Sequence, residues 1–238
     1  MPKLTKSDVR FWTMILRLVF LPVLLLELWA VGRHLPLLEL ATKPLMVPVL
    51  MLIFYFATHE QKNNYNRWII TALIFSLMGD VFLLFSTDFE QAFMTGLASF
   101  LLAQISYFIG FLLAARHPKG PFILWRHPWL LPVLLGYGIL LLWQIFPGLE
   151  DMLVPVIIYA GCLLLMVLAA LHLGLKRKTW GLPIGALLFL FSDSILAVNQ
   201  FTELLQDINA NFFVMLLYGF AQWMIVEGML RMNGSVRN

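Results

Sequence analysis

The chain has 238 residues, of which 61% are hydrophobic and 12% are charged, and its mean hydropathy is +0.86. A soluble domain carries about 25% charged residues, so this chain has too few ionic groups to cover a surface that faces water. Its net charge is +3, but no basic stripe interleaved with aromatic residues is present, which argues against a nucleic-acid partner. The single cysteine, Cys162, excludes an internal disulfide and a cysteine-based structural metal site.

Eight apolar segments follow one another along the chain, each near the ~20 residues that a helix needs to cross the hydrocarbon of a bilayer. The alternating pattern of a membrane β-barrel is absent, so helices are the remaining spanning structure. The polar breaks between the segments are too short for a soluble domain. We therefore predict an all-α, polytopic membrane helix bundle in which residues 1–238 form one domain. The predicted helices cover residues 11–30, 42–58, 68–87, 92–115, 128–146, 152–174, 182–200 and 210–230.

The first segment follows basic residues, as the apolar part of a signal peptide would. Glu27 and Trp29 occupy the region where a small-residue cleavage site would lie, so we expect an uncleaved helix.

The charges of the polar breaks predict the orientation of the bundle. If the N-terminus is cytoplasmic, thirteen basic residues fall on the inner side and Arg33 alone falls on the outer side. A miscounted helix would scramble this asymmetry, so the positive-inside rule supports eight spans with both termini in the cytoplasm. We expect a multi-pass protein of the bacterial inner membrane. The inner-side basic residues are Lys3, Lys6, Arg10, Lys62, Arg67, Arg116, Lys119, Arg126, Lys176, Arg177, Lys178, Arg231 and Arg237.

Some ionisable residues inside the segments have simple structural interpretations. Glu27 is close enough to the outer end of its helix to reach the interface. Glu227 lies one turn before Arg231 at the inner end, which predicts an i,i+4 pair.

Asp80 and Asp193 are different, because aspartate is short and costs ~3 kcal/mol at the centre of a membrane helix. Asp80 lies eight residues before Asp88, and Asp193 lies ten before Glu203, which places them about 12 and 15 Å from the outer helix ends. Such residues usually face the bundle interior and mark a functional site. The alternative is a hydrogen bond that only ties helices together.

Other polar residues of the segments are candidates for substrate binding because they reach a similar level. Gln104 and Tyr107 also share one helix face, at i and i+3. The predicted substrate-binding residues are Lys43, Tyr159, Asn199, Tyr218, Gln222, Gln104 and Tyr107.

A pair of buried carboxyl groups suits acid–base chemistry, because one member can donate a proton while the other accepts one or stabilises positive charge. Hydrolysis through an oxocarbenium-like species is the natural match. Ser192 and Ser194 lack a G-x-S-x-G context, and the five histidines lie in loops or near inner helix ends, so neither a serine hydrolase nor a three-histidine zinc site is predicted. The Gly79-Asp80 pair is part of the G-x-G-D signature of intramembrane aspartyl proteases, but the first glycine of that signature is absent from this chain. We expect no metal and no other cofactor.

The run ALIFSLMGDVFLLFSTDFEQAFMTGLASFLLAQISYFIGF (72–111) resembles the YhhN-like lysoplasmalogenase family. So do GALLFLFSDSILAVNQF (185–201), the Lys43-Pro44 pair and VMLLYGFAQWMIVEG (214–228). The family often has a histidine in the fourth helix where this chain has Gln104.

The resemblance implies an eight-helix hydrolase that cleaves the vinyl ether bond of lysoplasmalogens. The products would be a fatty aldehyde and glycerophosphoethanolamine or glycerophosphocholine. Asp80 and Asp193 would then be the catalytic pair, and Lys43 would bind the head-group phosphate. Expected partners are a vinyl-ether lysophospholipid and membrane lipids, and the oligomeric state stays open. The alternative function is a small transporter or lipid-handling protein in which the aspartates carry protons or cations.

Overall fold

The structure is a computed structural model that describes residues 5–61, 63–86, 89–116 and 121–234. Within these ranges all regular structure is helical. Two short 3₁₀ turns, Phe146–Gly148 and Glu150–Met152, separate α6 from α7. The helices are α1 (Lys6–Gly32), α2 (Pro36–Thr58), α3 (Asn64–Leu84), α4 (Glu90–Ala115), α5 (Ile123–Arg126), α6 (Leu130–Ile145), α7 (Leu153–Arg177), α8 (Gly181–Phe201) and α9 (Ala210–Met232).

All the described helices except α5 are long and apolar enough to cross a membrane, which confirms the eight predicted spans. Each predicted segment falls on one of them. The third helix ends at Leu84, short of the predicted end at residue 87. The side of the membrane on which the termini lie stays a prediction. Several residues that the prediction used lie outside the described ranges, namely Lys3, Lys62, Asp88, Lys119 and Arg237.

Seven of the spanning helices form a closed ring of contacts, in the order α1, α2, α3, α4, α7, α8 and α9, with α9 packed back on α1. Helix α2 also packs against α9. Helix α6 lies outside this ring, against α7 and α8. The interior of the ring therefore receives side chains from helices that are distant in sequence.

The contact between α8 and α9 depends on two glycines that let the backbones approach closely. A Cβ atom on Gly185 would lie 2.9 Å from the Ala221 carbonyl oxygen. A Cβ atom on Gly228 would lie 2.8 Å from the Leu182 nitrogen. Because lipid provides no hydrophobic force between helices, small residues at such contacts are a main source of packing energy.

An ion pair between α1 and α9 helps to close the ring. Arg17 donates from Nε to Glu227 Oε1 at 2.5 Å and from a terminal nitrogen to Oε2 at 3.2 Å. The expected pair of Glu227 with Arg231 on the same helix is therefore wrong. A guanidinium that approaches from another helix can form two parallel hydrogen bonds to one carboxylate. Arg231, one turn away on the same helix as Glu227, offers no better geometry.

Gly185→Ala should destabilise the bundle, because the added methyl group meets backbone atoms of α9 that cannot move independently. We expect a loss of about 1–3 kcal/mol, measured as a lower midpoint of thermal unfolding in detergent. Gly161→Ala on α7 is the matched control, because a Cβ atom there meets nothing within 4 Å. An equal midpoint for both variants would contradict the close approach of α8 and α9.

Candidate functional site

The ring encloses a cavity of about 510 Å³ that both aspartates line. Its walls come from the first turns of α2 and α9 and the last turns of α3 and α8, with Phe93 and Phe100 of α4. The cavity therefore lies at the end of the bundle opposite to the chain termini. Under the predicted orientation this is the outer side of the membrane. The predicted site residues that line it are Lys43, Asp80, Asp193, Asn199 and Tyr218.

The two aspartates enter this cavity at different depths along their helices. Asp80 lies four residues before α3 ends at Leu84, which corresponds to about 6 Å. Asp193 lies eight residues before α8 ends at Phe201, or about 12 Å. Both are nearer their helix ends than the positions of Asp88 and Glu203 suggested. Asp80 thus lies near the end of α3, whereas Asp193 lies close to the middle of α8.

Asp80 is 2% exposed and is held by a tyrosine from the other side of the ring. The Tyr218 hydroxyl donates to Asp80 Oδ2 at 2.8 Å. The Tyr218 ring is itself fixed by edge contacts with Phe100 and Phe189, at centroid distances of 5.9 and 5.7 Å. Gly79 makes room for this arrangement, because a Cβ atom there would lie 2.6 Å from the Phe100 ring.

A relay of hydrogen bonds behind Tyr218 gives its hydroxyl a definite direction. Tyr107 donates to Gln222 Oε1 at 2.5 Å, which leaves the Gln222 nitrogen as the donor of the amide. That nitrogen donates to the Tyr218 hydroxyl at 3.3 Å and to Ser76 Oγ at 3.0 Å. Because the Tyr218 oxygen accepts from Gln222, its own proton is directed to Asp80. The relay thus ends on Asp80 Oδ2 as an acceptor.

Asp193 has a separate set of partners from α4 and α7. Gln104 Nε2 donates to Asp193 Oδ2 at 3.2 Å, and the Tyr159 hydroxyl donates to the same oxygen. The Gln104 side-chain oxygen is buried and has no hydrogen-bond partner among the described residues. Among those residues Asp80 and Asp193 form no hydrogen bond with each other. Each carboxyl group is therefore oriented independently by its own tyrosine.

Lys43 brings a positive charge to the cavity, and its ammonium has few partners within the protein. The residue is 8% exposed, and its ammonium lies 4.0 Å from Glu39 Oε1, one turn earlier on α2. Neither side chain makes a hydrogen bond to another described residue. The Lys43 ammonium and the Glu39 carboxylate therefore keep most of their hydrogen-bonding capacity for a ligand.

Glu27 is a polar residue of this region that sequence reasoning misplaced. It is 0% exposed rather than at the interface, and its Oε2 accepts a hydrogen bond of 2.5 Å from Thr42, the residue before Lys43. Glu27 Oε1 is buried without a hydrogen-bond partner in the part of the chain that the structure describes. The sequence did hold a signal, because a glutamate inside an apolar segment requires a partner.

The other predicted binding residues divide into two groups. Asn199 reaches the cavity directly, near the end of α8. Gln104, Tyr107, Tyr159 and Gln222 do not line it and instead support the aspartates from behind. Gln104 and Tyr107 share a helix face as predicted, but they serve different aspartates.

The two serines of α8 that lie near the aspartates are bonded to backbone carbonyls. Ser192 Oγ donates to the Val214 carbonyl at 2.9 Å, and Ser194 Oγ donates to the Leu190 carbonyl at 2.7 Å, so neither faces a general base. Among the described residues, no three His, Cys, Asp or Glu side chains are grouped to bind a metal ion. The site can hold and move protons at two separately oriented carboxyl groups beside an ammonium.

Comparison with known proteins places the chain in a family. It matches the YhhN family over residues 38–229. It is 32% identical to lysoplasmalogenase TMEM86B of Sus scrofa over 179 residues, which cover 75% of this chain and 70% of that protein. The human TMEM86B lysoplasmalogenase is 30% identical over 195 residues, 78% of this chain and 73% of that protein. No solved structure matches the chain.

A lysoplasmalogenase of Mycobacterium tuberculosis is 33% identical over 138 residues, which are 57% of this chain and 51% of that protein. The family match extends over nearly all of α2 to α9 and includes both aspartates, Lys43 and the tyrosines that hold the aspartates. The chain is therefore a member of the YhhN family.

Proposed function

We propose that this protein is an intramembrane lysoplasmalogenase that hydrolyses the vinyl ether bond of a lysophospholipid. The observation that carries the proposal is the pair of carboxyl groups that line one cavity beside the Lys43 ammonium, whose ion-pair partner is Glu39 at 4.0 Å. The names of the relatives supply the substrate class. A vinyl ether needs only a proton donor, a proton acceptor and water for its hydrolysis, and the two carboxyl groups of this cavity can serve as the donor and the acceptor.

The reaction uses the two aspartates in different protonation states. One aspartic acid transfers its proton to the second carbon of the vinyl group, and the first carbon becomes an oxocarbenium ion. Water adds to that carbon while the other, ionised aspartate takes its proton. The resulting hemiacetal breaks its bond to the glycerol oxygen, which takes the proton now held by the second aspartic acid, while the hemiacetal hydroxyl gives its proton to the first aspartate and restores the starting state. The products are a fatty aldehyde and a glycerophospho alcohol, and no cofactor is consumed.

The location of the cavity fits a lysolipid held in the outer leaflet of a bacterial inner membrane. Head groups form the outer layers of a bilayer, above a hydrocarbon core of about 30 Å. The vinyl ether lies directly below the glycerol, so it falls near the level of Asp80 and Asp193, about 6 to 12 Å below the helix ends. Lys43 would bind the phosphate through its ammonium, which lies 4.0 Å from Glu39 Oε1, one turn nearer the start of α2.

The proposal is tested first on the wild-type protein. Purified protein in detergent should release aldehyde from lysoplasmenyl-ethanolamine and none from the analogue with a saturated ether, because only the vinyl ether forms an oxocarbenium ion on protonation. A transporter that used the same aspartates would release none from either lipid. Proton-dependent solute flux in vesicles without aldehyde release would favour that alternative.

Asp80→Asn and Asp193→Asn should each lower aldehyde release by at least about a hundredfold, the usual contribution of an acid–base group. The amide keeps the size and can still accept from Tyr218 or Tyr159, so the thermal midpoint should change little. Ser86→Ala, another substitution in the cavity wall, is the control and should retain activity, since among the described residues its hydroxyl bonds the Leu83 carbonyl alone. Near-normal turnover in either aspartate variant would rule out the two-carboxyl mechanism.

A further inference from the structure

A second, smaller pocket adjoins the cavity on its apolar side. It measures about 60 Å³ and lies between α4, α6, α7 and α8. Its lining is apolar except at Tyr159, Asp193 and Ser194. Asp193, Phe93 and Leu196 line both spaces, so the two meet at one of the two carboxyl groups. We call this pocket the slot.

We propose that the slot is the binding site for the alkenyl chain and that Asp193 is the general acid; this rests on the proposed function. A lysolipid has a polar end and an apolar end that meet at the vinyl ether. The cavity and the slot have the same division, and Asp193 stands where they meet. With the chain in the slot, Asp193 lies on the chain side of the vinyl group, where the accepting carbon is. Asp80 and Lys43 lie on the glycerol side.

Helix α6 is the element that admits the chain. It forms one wall of the slot through Leu141, Leu142 and Ile145, yet it stands outside the ring and contacts α7 and α8. Its polar link to α8 is one hydrogen bond of 2.7 Å between Tyr137 and Ser194. On the far side of this link a further space of about 350 Å³ separates α6 from α8. Because α6 is held to α7 and α8 by apolar packing and this hydrogen bond, its outward movement would widen the slot for a chain longer than its present volume holds.

The slot is tested by filling it. Ala160→Phe on α7 and Ala197→Phe on α8 replace small lining residues with a large ring. We expect kcat/KM for a hexadecenyl substrate to fall about tenfold or more relative to that for a butenyl substrate, because the long chain loses its site. Ala98→Phe, at an exposed position of α4, is the matched control and should leave the ratio unchanged.

Two results would overturn the slot. One is an unchanged preference for chain length in both filled variants. The other is an equal loss on both substrates in variants whose thermal midpoint equals that of the wild type. If the wild-type protein hydrolyses neither lipid, the proposed function fails, and the slot is tested by binding alone. A saturated-ether lysolipid with a diazirine in its chain should then label α4, α6, α7 or α8, and labelling confined to α1, α2, α3 or α9 would refute the site.

A second inference concerns the Glu39–Lys43 pair and stands on a different observation. The two opposite charges both line the cavity, 4.0 Å apart, and neither is hydrogen-bonded to another described residue. We infer that together they bind a zwitterionic head group, with the phosphate on Lys43 and the amine cation on Glu39. An ammonium alone would bind a phosphate, so the carboxylate beside it is the group that selects ethanolamine or choline.

Glu39→Gln should raise KM about tenfold for the ethanolamine lipid, because a charged hydrogen bond becomes a neutral one. For the alkenyl glycerophosphate, which lacks the amine, Glu39→Gln should either leave KM unchanged or decrease it. Lys43→Gln should raise KM for both lipids. An equal effect of Glu39→Gln on the two lipids would refute the role of Glu39. Should no lipid be cleaved, the same comparison is made on binding of the saturated-ether analogues.

Discussion

Hydrogen bonds from two tyrosines to two aspartates are the interaction on which the interior of this bundle depends. An aspartate inside a membrane helix costs ~3 kcal/mol, whereas a side-chain hydrogen bond between membrane helices returns about 0.6 to 2 kcal/mol. The bonds from Tyr218 and Tyr159 therefore offset only part of the cost of Asp80 and Asp193. Net stability does not explain two such residues, whereas the proposed chemical role would.

The two carboxyl groups also differ in their surroundings. Asp80 is at the end of a relay that begins at Tyr107, and it shares the polar cavity with the Lys43 ammonium. Asp193 shares the slot with apolar residues and has two donors on one oxygen. Two carboxyl groups in different surroundings take different protonation states more readily than a symmetric pair. The fold thus gives the two carboxyl groups different surroundings by drawing their partners from different helices, as the proposed acid and base require.

The features that could be predicted from the sequence are those that depend on a single helix, such as its apolar length and the spacing of its residues. Apolar length placed the eight spans, and the spacing of Asp80 and Asp193 from their loops indicated that both lie inside them. Partners on other helices were not predictable in this way. Glu227 has a cation at i+4 in Arg231, but its partner is Arg17, 210 positions away. Glu27 was assigned to the interface because nothing in its own helix reveals Thr42.

The bundle contains two kinds of partly buried charged group. One kind is paired directly with an opposite charge, and the other faces the cavity. Arg17 and Glu227 pair through two bonds, so each charge is compensated directly by the other. Four other ionisable groups instead face a common cavity, and their partners are a tyrosine, an amide or a counter-charge 4.0 Å away. These groups are Asp80, Asp193, Lys43 and Glu39. Groups left in this condition in lipid remain available to water, to a proton and to a zwitterion. Incomplete pairing at the cavity is therefore the physical requirement for a hydrolase that works below the membrane surface.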